Sequence, residues 1–159
     1  MSLSNIVQPV IVDEVKFLGS FAPNSDLNMD DTDFHNVPLD YTGYWSSPDL
    51  SSFITINVST GIITVVKPGK YLINATSLTR TSANTMVYVK VNKNGNTFST
   101  VRSTLASSNE SVSINAVIAA ENGDELSVSG RVAAGTTHIQ FGKGDIYRNS
   151  FIDITYLGK

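Results

Sequence analysis

Apolar residues recur at every second position in a series of short runs, and turn residues separate the runs. In residues 53–58 the alternation puts Ile54, Ile56 and Val58 on one face. In residues 85–91 it puts Val87, Val89 and Val91 on one face. A period of two marks a strand with one side buried. The same reading predicts strands over 15–22, 62–66, 70–80, 97–104, 111–119, 125–132, 138–141 and 150–157. Residues 37–41 predict a short edge strand, because Pro38 lacks the amide that a central strand donates. The punctuation has mechanisms of its own. In Lys67-Pro68-Gly69 the proline presets φ and the glycine supplies a positive φ. Asn94-Gly95 is the dipeptide of a tight hairpin. Ser59-Thr60-Gly61 and Glu121-Asn122-Gly123-Asp124 turn the chain twice more, and residues 23–36 and 42–52 read as polar loops. Eight to ten strands with turns at roughly 8–12-residue spacing, and no helical period, predict an all-β antiparallel sandwich or barrel. Residues 1–14 lack such a pattern and read as an arm ahead of one domain, 15–159. A free tail would leave Ile6, Val7, Val10 and Ile11 in water, so the arm is expected to dock on a partner.

Composition narrows the function classes. The chain has 159 residues, of which 29 are Val or Ile and 49 are Ser, Thr or Asn. That mixture suits strands and turns rather than solvated helices. Only 16% of residues are charged and the net charge is −3, so no bulk attraction for nucleic acid exists. No apolar run approaches the length of a membrane-spanning helix, and no membrane partner is expected. The opening residues lack a basic region and are interrupted by Pro9 and Asp13, so they are not read as a signal peptide. The absence of cysteine excludes disulfides, thiolate zinc sites and a cysteine nucleophile. Without a secretion signal, the sequons at Asn57, Asn74 and Asn109 are read as chance matches.

Few constellations carry chemistry. Asp26, Asn28, Asp30, Asp31 and Asp33 form a run of hard oxygen donors beside His35, the pattern that could hold Ca²⁺. An EF-hand register fails, because Asp31 stands where glycine is required and Val37 where glutamate is required. The run is therefore read as a solvated loop, and no cofactor is expected. Tyr41, Tyr44 and Trp45 form an aromatic cluster that could stack on a sugar ring or cap the core. His35 and His138 sit in no zinc motif, there is no Gly-x-Ser-x-Gly, and residues 142–145 lack a phosphate-loop spacing. The chain is expected not to be an enzyme.

Four short motifs then occur in an informative order. Thr60-Gly61, Pro68-Gly69 and Tyr71 mark a turn, a short strand, a second turn and the opening of a long core strand. Lys93-Asn94-Gly95 follows a further strand, Gly123-Asp124 with Leu126 follows another, and residues 151–157 close the chain. Over residues 50–157 this order resembles the complement-globular-head and tumour-necrosis-factor-like domains. The resemblance implies a ten-stranded jelly roll, a compact homotrimer, and a binding or structural role without catalysis. Such domains serve as animal recognition heads, bacterial spore-surface proteins and parts of tailed-phage virions. The lack of cysteine and of a collagen stalk argues against the animal version, and the closing residues 150–159 resemble the ends of phage fibre and decoration modules. Strands at 62–66 and 71–73 are apolar on both faces and need cover on both. With the resemblance, Phe53, Tyr71, Ile73, Tyr88, Phe151 and Tyr156 are expected at the threefold interface, where closed symmetry would bury them. The leading expectation is a tailed-phage capsid decoration, cement or head-fibre protein on the capsid exterior, bound to the major capsid protein or another virion protein. The alternative is a receptor- or glycan-binding head on a tail-fibre tip or a bacterial surface, using Tyr41, Tyr44 and Trp45 on a host-surface glycan.

Overall fold

The computed structural model describes residues 14–23, 27–29, 33–39, 45–80, 84–107, 109–133, 138–140 and 150–159. Nine strands carry the architecture: β1 (Lys16–Phe21), β4 (Ile54–Asn57), β5 (Ile62–Val65), β6 (Gly69–Arg80), β7 (Met86–Lys93), β8 (Asn96–Thr104), β9 (Asn109–Ala120), β10 (Glu125–Ala133) and β12 (Phe151–Gly158). Three short ones join them: β2 (Leu27–Met29), β3 (His35–Asn36) and β11 (His138–Gln140). The described residues hold no α-helix, only a single 3-10 turn at Leu50–Ser52. All pairings are antiparallel. The first sheet runs β1-β12-β6-β11-β2, with β9 also paired along β6, and the second runs β4-β5-β10-β7-β8, with β3 on β10.

The alternation in the sequence becomes the two faces of each sheet. Tyr71, Ile73 and Ala75 of β6, Ile114, Ala116 and Ile118 of β9, and Ile152, Ile154 and Tyr156 of β12 point into the sandwich. Ile63 and Val65 of β5, Val87, Val89 and Val91 of β7, and Leu126, Val128 and Val132 of β10 meet them from the other sheet. One end of the core is aromatic. The Tyr156 ring stands edge-on to Phe53 at 5.0 Å and to Tyr71 at 5.4 Å. The Tyr71 hydroxyl donates to the Lys67 carbonyl at 2.5 Å and lies 3.1 Å from the Phe53 carbonyl. Burial, and secondarily Tyr156, raise the Tyr71 pKa far above the ordinary phenol value, so it stays a donor.

The two ends of the sandwich differ. Glu14 leads into β1, and Lys16 pairs with Tyr156 near the end of β12, so the described domain begins and finishes at one end. The tight turns lie there too. Asn94 (φ 51°) and Gly95 (φ 74°) have the left-handed pair of a type I′ hairpin, as the dipeptide predicts. Asp124 of the β9–β10 turn accepts from the Asn94 side chain at 2.7 Å, from the Glu121 amide at 2.8 Å and from Lys93 Nζ at 2.9 Å. Asn94 Oδ1 in return accepts from the Glu125 amide at 2.8 Å. Two adjacent turns are thereby fastened to each other.

The structure corrects two expectations. Residues 37–39 form no strand; the pairing falls earlier, where His35 and Asn36 face Gly130 and Ser129. The Val37 amide then bonds the Val128 carbonyl and the Leu39 amide bonds the Val58 carbonyl, so the segment crosses between strands rather than edging a sheet. Residues 23–36, read as loop, contain β2, which pairs with β11, and β3. Two- and three-residue pairings are imposed by the neighbouring strand and leave no period to read.

Candidate interaction surfaces

The outer face of the first sheet can be read row by row from its register. Val117 of β9 lies opposite Leu72 of β6, Leu72 opposite Thr155 of β12, and Thr155 opposite Phe17 of β1. The chain returns beside β1 at residues 45–47, where the Trp45 carbonyl accepts from the Ser20 amide and the Ser47 amide donates to the Leu18 carbonyl. This places Trp45 against Phe17, with stacked rings 5.4 Å apart. A row that is apolar except for Thr155 therefore crosses from β9 to β1, and three of its members are exposed: Val117 is 52% exposed, Trp45 51% and Phe17 41%, while Leu72 and Thr155 are half-buried. The next row is polar: Asn115, Asn74, Asp153 and Ser20. Beyond it, Ser113 and Thr76 share a hydrogen bond at 2.8 Å, and Phe151 lies opposite Thr76. A partly exposed, mostly apolar row flanked by short polar side chains has the composition of a contact surface.

The residues expected at a threefold interface divide by face. Phe53, Tyr71, Ile73 and Tyr156 are buried in the core of a single chain and present no side-chain surface to a second. Their aromatic and aliphatic area is covered by the opposite sheet. Phe151 lies on the outer face of the first sheet and Tyr88 on that of the second, both half-buried. Leu72, Val117 and Phe17 carry the outward apolar area instead. Of the aromatic cluster, Trp45 is described and exposed, while Tyr41 and Tyr44 lie outside the described residues. So do the proposed docking residues Ile6, Val7, Val10 and Ile11. Of the acidic run, Asp33 is exposed and Asn28 belongs to β2, whereas Asp26, Asp30 and Asp31 lie outside the described residues. Among the described residues, no three His, Cys, Asp or Glu side chains converge as a metal site.

A second surface escaped the sequence reading. On the outer face of the second sheet, Tyr88, Lys90 and Asn92 of β7 stand opposite Arg131, Ser129 and Ser127 of β10. On the other side, Arg102, Thr100 and Thr97 of β8 complete the rows. A cavity of about 280 Å³ opens there, lined by Phe34, Asn36, Lys90, Asn92, Gly95, Thr97, Ser127 and Ser129. The signal was present as period-two placement of Lys90 and Arg131, but only the pairing of β7 with β10 brings those residues together.

No family model matches the sequence, and no curated protein matches it significantly by sequence. Solved structures do match in shape. The Eiger TNF of S. frugiperda superposes with a TM-score of 0.60 at 19% identity, covering 91% of this chain and 94% of that one. Murine APRIL at pH 5.0 gives 0.61 at 16% identity over 89% of this chain and 99% of its own. Rabbit GITRL gives 0.51 at 14% identity over 89% and 93%. The chain has a tumour-necrosis-factor-like jelly-roll fold. The sequence motifs behind that expectation prove to be architectural. In this TNF-like sandwich Gly61 turns against the Val37 carbonyl, Tyr71 anchors the turn before β6, and Asp124 fastens two turns. They specify the jelly roll and say nothing of what it binds.

Proposed function

We propose that the chain is a non-enzymatic binding module that assembles as a homotrimer through the outer face of its first sheet. The observation that carries this reading is the outward row Val117–Leu72–Thr155–Phe17, apolar except for Thr155, which crosses from β9 to β1 with Trp45 at its edge. A closed threefold assembly would withdraw that row from water, at roughly 25 cal/mol per Å² of apolar surface. Within this class we read the chain as a tailed-phage virion protein on the capsid exterior, a decoration or cement protein or a short head fibre. The resemblance of residues 150–159 to such modules supports it, as does the absence of cysteine. Residues 1–14 would leave the domain at the end where the tight turns lie, and would dock on the major capsid protein or another virion protein. The exposure of Trp45 favours a second reading, a glycan- or receptor-binding head on a fibre tip or bacterial surface. The two separate cleanly. A chain lacking residues 1–14 is expected to keep its trimer and to stop co-sedimenting with particles that the intact chain decorates. If instead the shortened chain still binds particles, and Trp45→Ala loses host-cell binding while remaining trimeric, the recognition reading replaces the first.

A further inference from the structure

We propose that the cavity on the outer face of the second sheet is a binding site for an acidic sugar residue, one pyranose ring bearing a carboxylate. Three observations converge on it. The first is a cluster of cations, without an ion pair among the described residues, in a protein of net charge −3. Lys90 lines the cavity, and Arg131 and Arg102 flank Tyr88 in the adjoining row. None of the three is in an ion pair with a described carboxylate. Aromatic rings hold two of them. Lys90 Nζ lies 3.4 Å from the centroid of Phe34, and the Arg131 guanidinium sits 5.0 Å from Tyr88 and 5.6 Å from Phe34. Arg131 Nε is buried with no hydrogen-bond partner. Cations fixed over rings lose side-chain freedom before any ligand arrives, which lowers the entropy lost on binding.

The second observation is the state of the neutral donors. Asn92 is buried, and its amide nitrogen donates to Ser129 Oγ at 2.9 Å and Ser127 Oγ at 3.3 Å. Each serine oxygen that accepts from the amide keeps its own O–H to give, and Asn92 keeps its carbonyl oxygen. With Asn36 and Thr97 on the wall, the cavity offers amides and hydroxyls in number, the equipment for a polyhydroxylated ring rather than a bare anion. The third is size. A cavity of about 280 Å³ lies at the small end of ligand pockets, room for one ring. The site lies on the sheet opposite the proposed trimer face, so it stays open in the assembly and does not depend on that reading.

The test is a titration of the full-length ¹⁵N-labelled protein with D-glucuronate, D-glucose and sodium sulfate in parallel. Glucuronate is expected to shift the amides of residues 90–92, 97 and 127–131, with glucose and sulfate at least tenfold weaker. Lys90→Met is expected to weaken glucuronate binding at least tenfold. Ser127→Ala, which leaves every charge in place, is expected to weaken it by a smaller factor, and both variants should keep the wild-type amide spectrum elsewhere. Equal response to glucose removes the acidic requirement, and equal response to sulfate removes the sugar. Shifts at other residues, no shift at all, or undiminished binding by a folded Lys90→Met protein each overturn the proposal.

Discussion

Gly61 shows how a single atom is placed by the fold. Its φ is +67°, and a Cβ there would stand 1.9 Å from the Val37 carbonyl oxygen, so the turn before β5 and the crossing segment at residues 37–39 exclude any side chain. Gly95 has a similar φ of +74° with nothing near its would-be Cβ. Gly95→Ala should cost only the left-handed backbone, about 1–2 kcal/mol. Gly61→Ala should cost about 2 kcal/mol more, because backbone must also move. Denaturant melts of the two variants compare these costs directly, and equal losses would contradict the close approach. Asp124 is a second such residue. The Asn94 side chain, then the Glu121 amide and Lys93, hold its pKa well below the carboxylate norm. A depressed folded-state pKa adds stability that is complete above the unfolded value, about 3.9, and is lost as the pH falls below it. The melting temperature of Asp124→Asn should therefore lie below wild type at neutral pH, and the gap should narrow below about pH 4. A gap that is constant with pH would show that the turn lock carries no charge-dependent stability.

At the scale of elements, local signals were legible and non-local ones were not. Asn94-Gly95 announces the β7–β8 hairpin because the two residues alone decide the turn. β2 and β3 run three and two residues, and their existence depends on partners far along the chain, whereas β11 falls where the sequence predicts a strand over 138–141. Alternation likewise showed that residues 70–80 have two faces. The inward set, Tyr71, Ile73 and Ala75, is the more apolar one, while Leu72 and Leu78 share the outward face with Asn74 and Thr76. Of the six residues expected at the interface, Phe53, Tyr71, Ile73 and Tyr156 therefore belong to the core, while Phe151 and Tyr88 lie on outer faces. The cation cluster was illegible for the opposite reason, since Lys90, Arg102 and Arg131 meet only through strand register. The proposed face gives its own prediction. Val117 is half-exposed, so Val117→Asp should leave the fold and its melting curve close to wild type. A charge buried there in each of three copies should move the assembly to monomer in sedimentation velocity. Unchanged sedimentation would take the outer face of the first sheet out of the interface.

For the whole molecule, the two proposed roles fall on different sheets. The first keeps an apolar row outward and suits contact with further copies of the chain. The second keeps a basic, hydroxyl-lined cavity outward and suits a small acidic ligand. Tight turns and both ends of the described domain occupy one end of the sandwich. That arrangement lets an assembled module be tethered at one end with its second-sheet faces outward. The threefold assembly is open to test through the solution mass of the intact chain. Light scattering behind a sizing column should give a single species near three times the 17.1 kDa chain mass, stable on dilution into the low micromolar range. A monodisperse monomer at the same concentrations would rule out the threefold assembly.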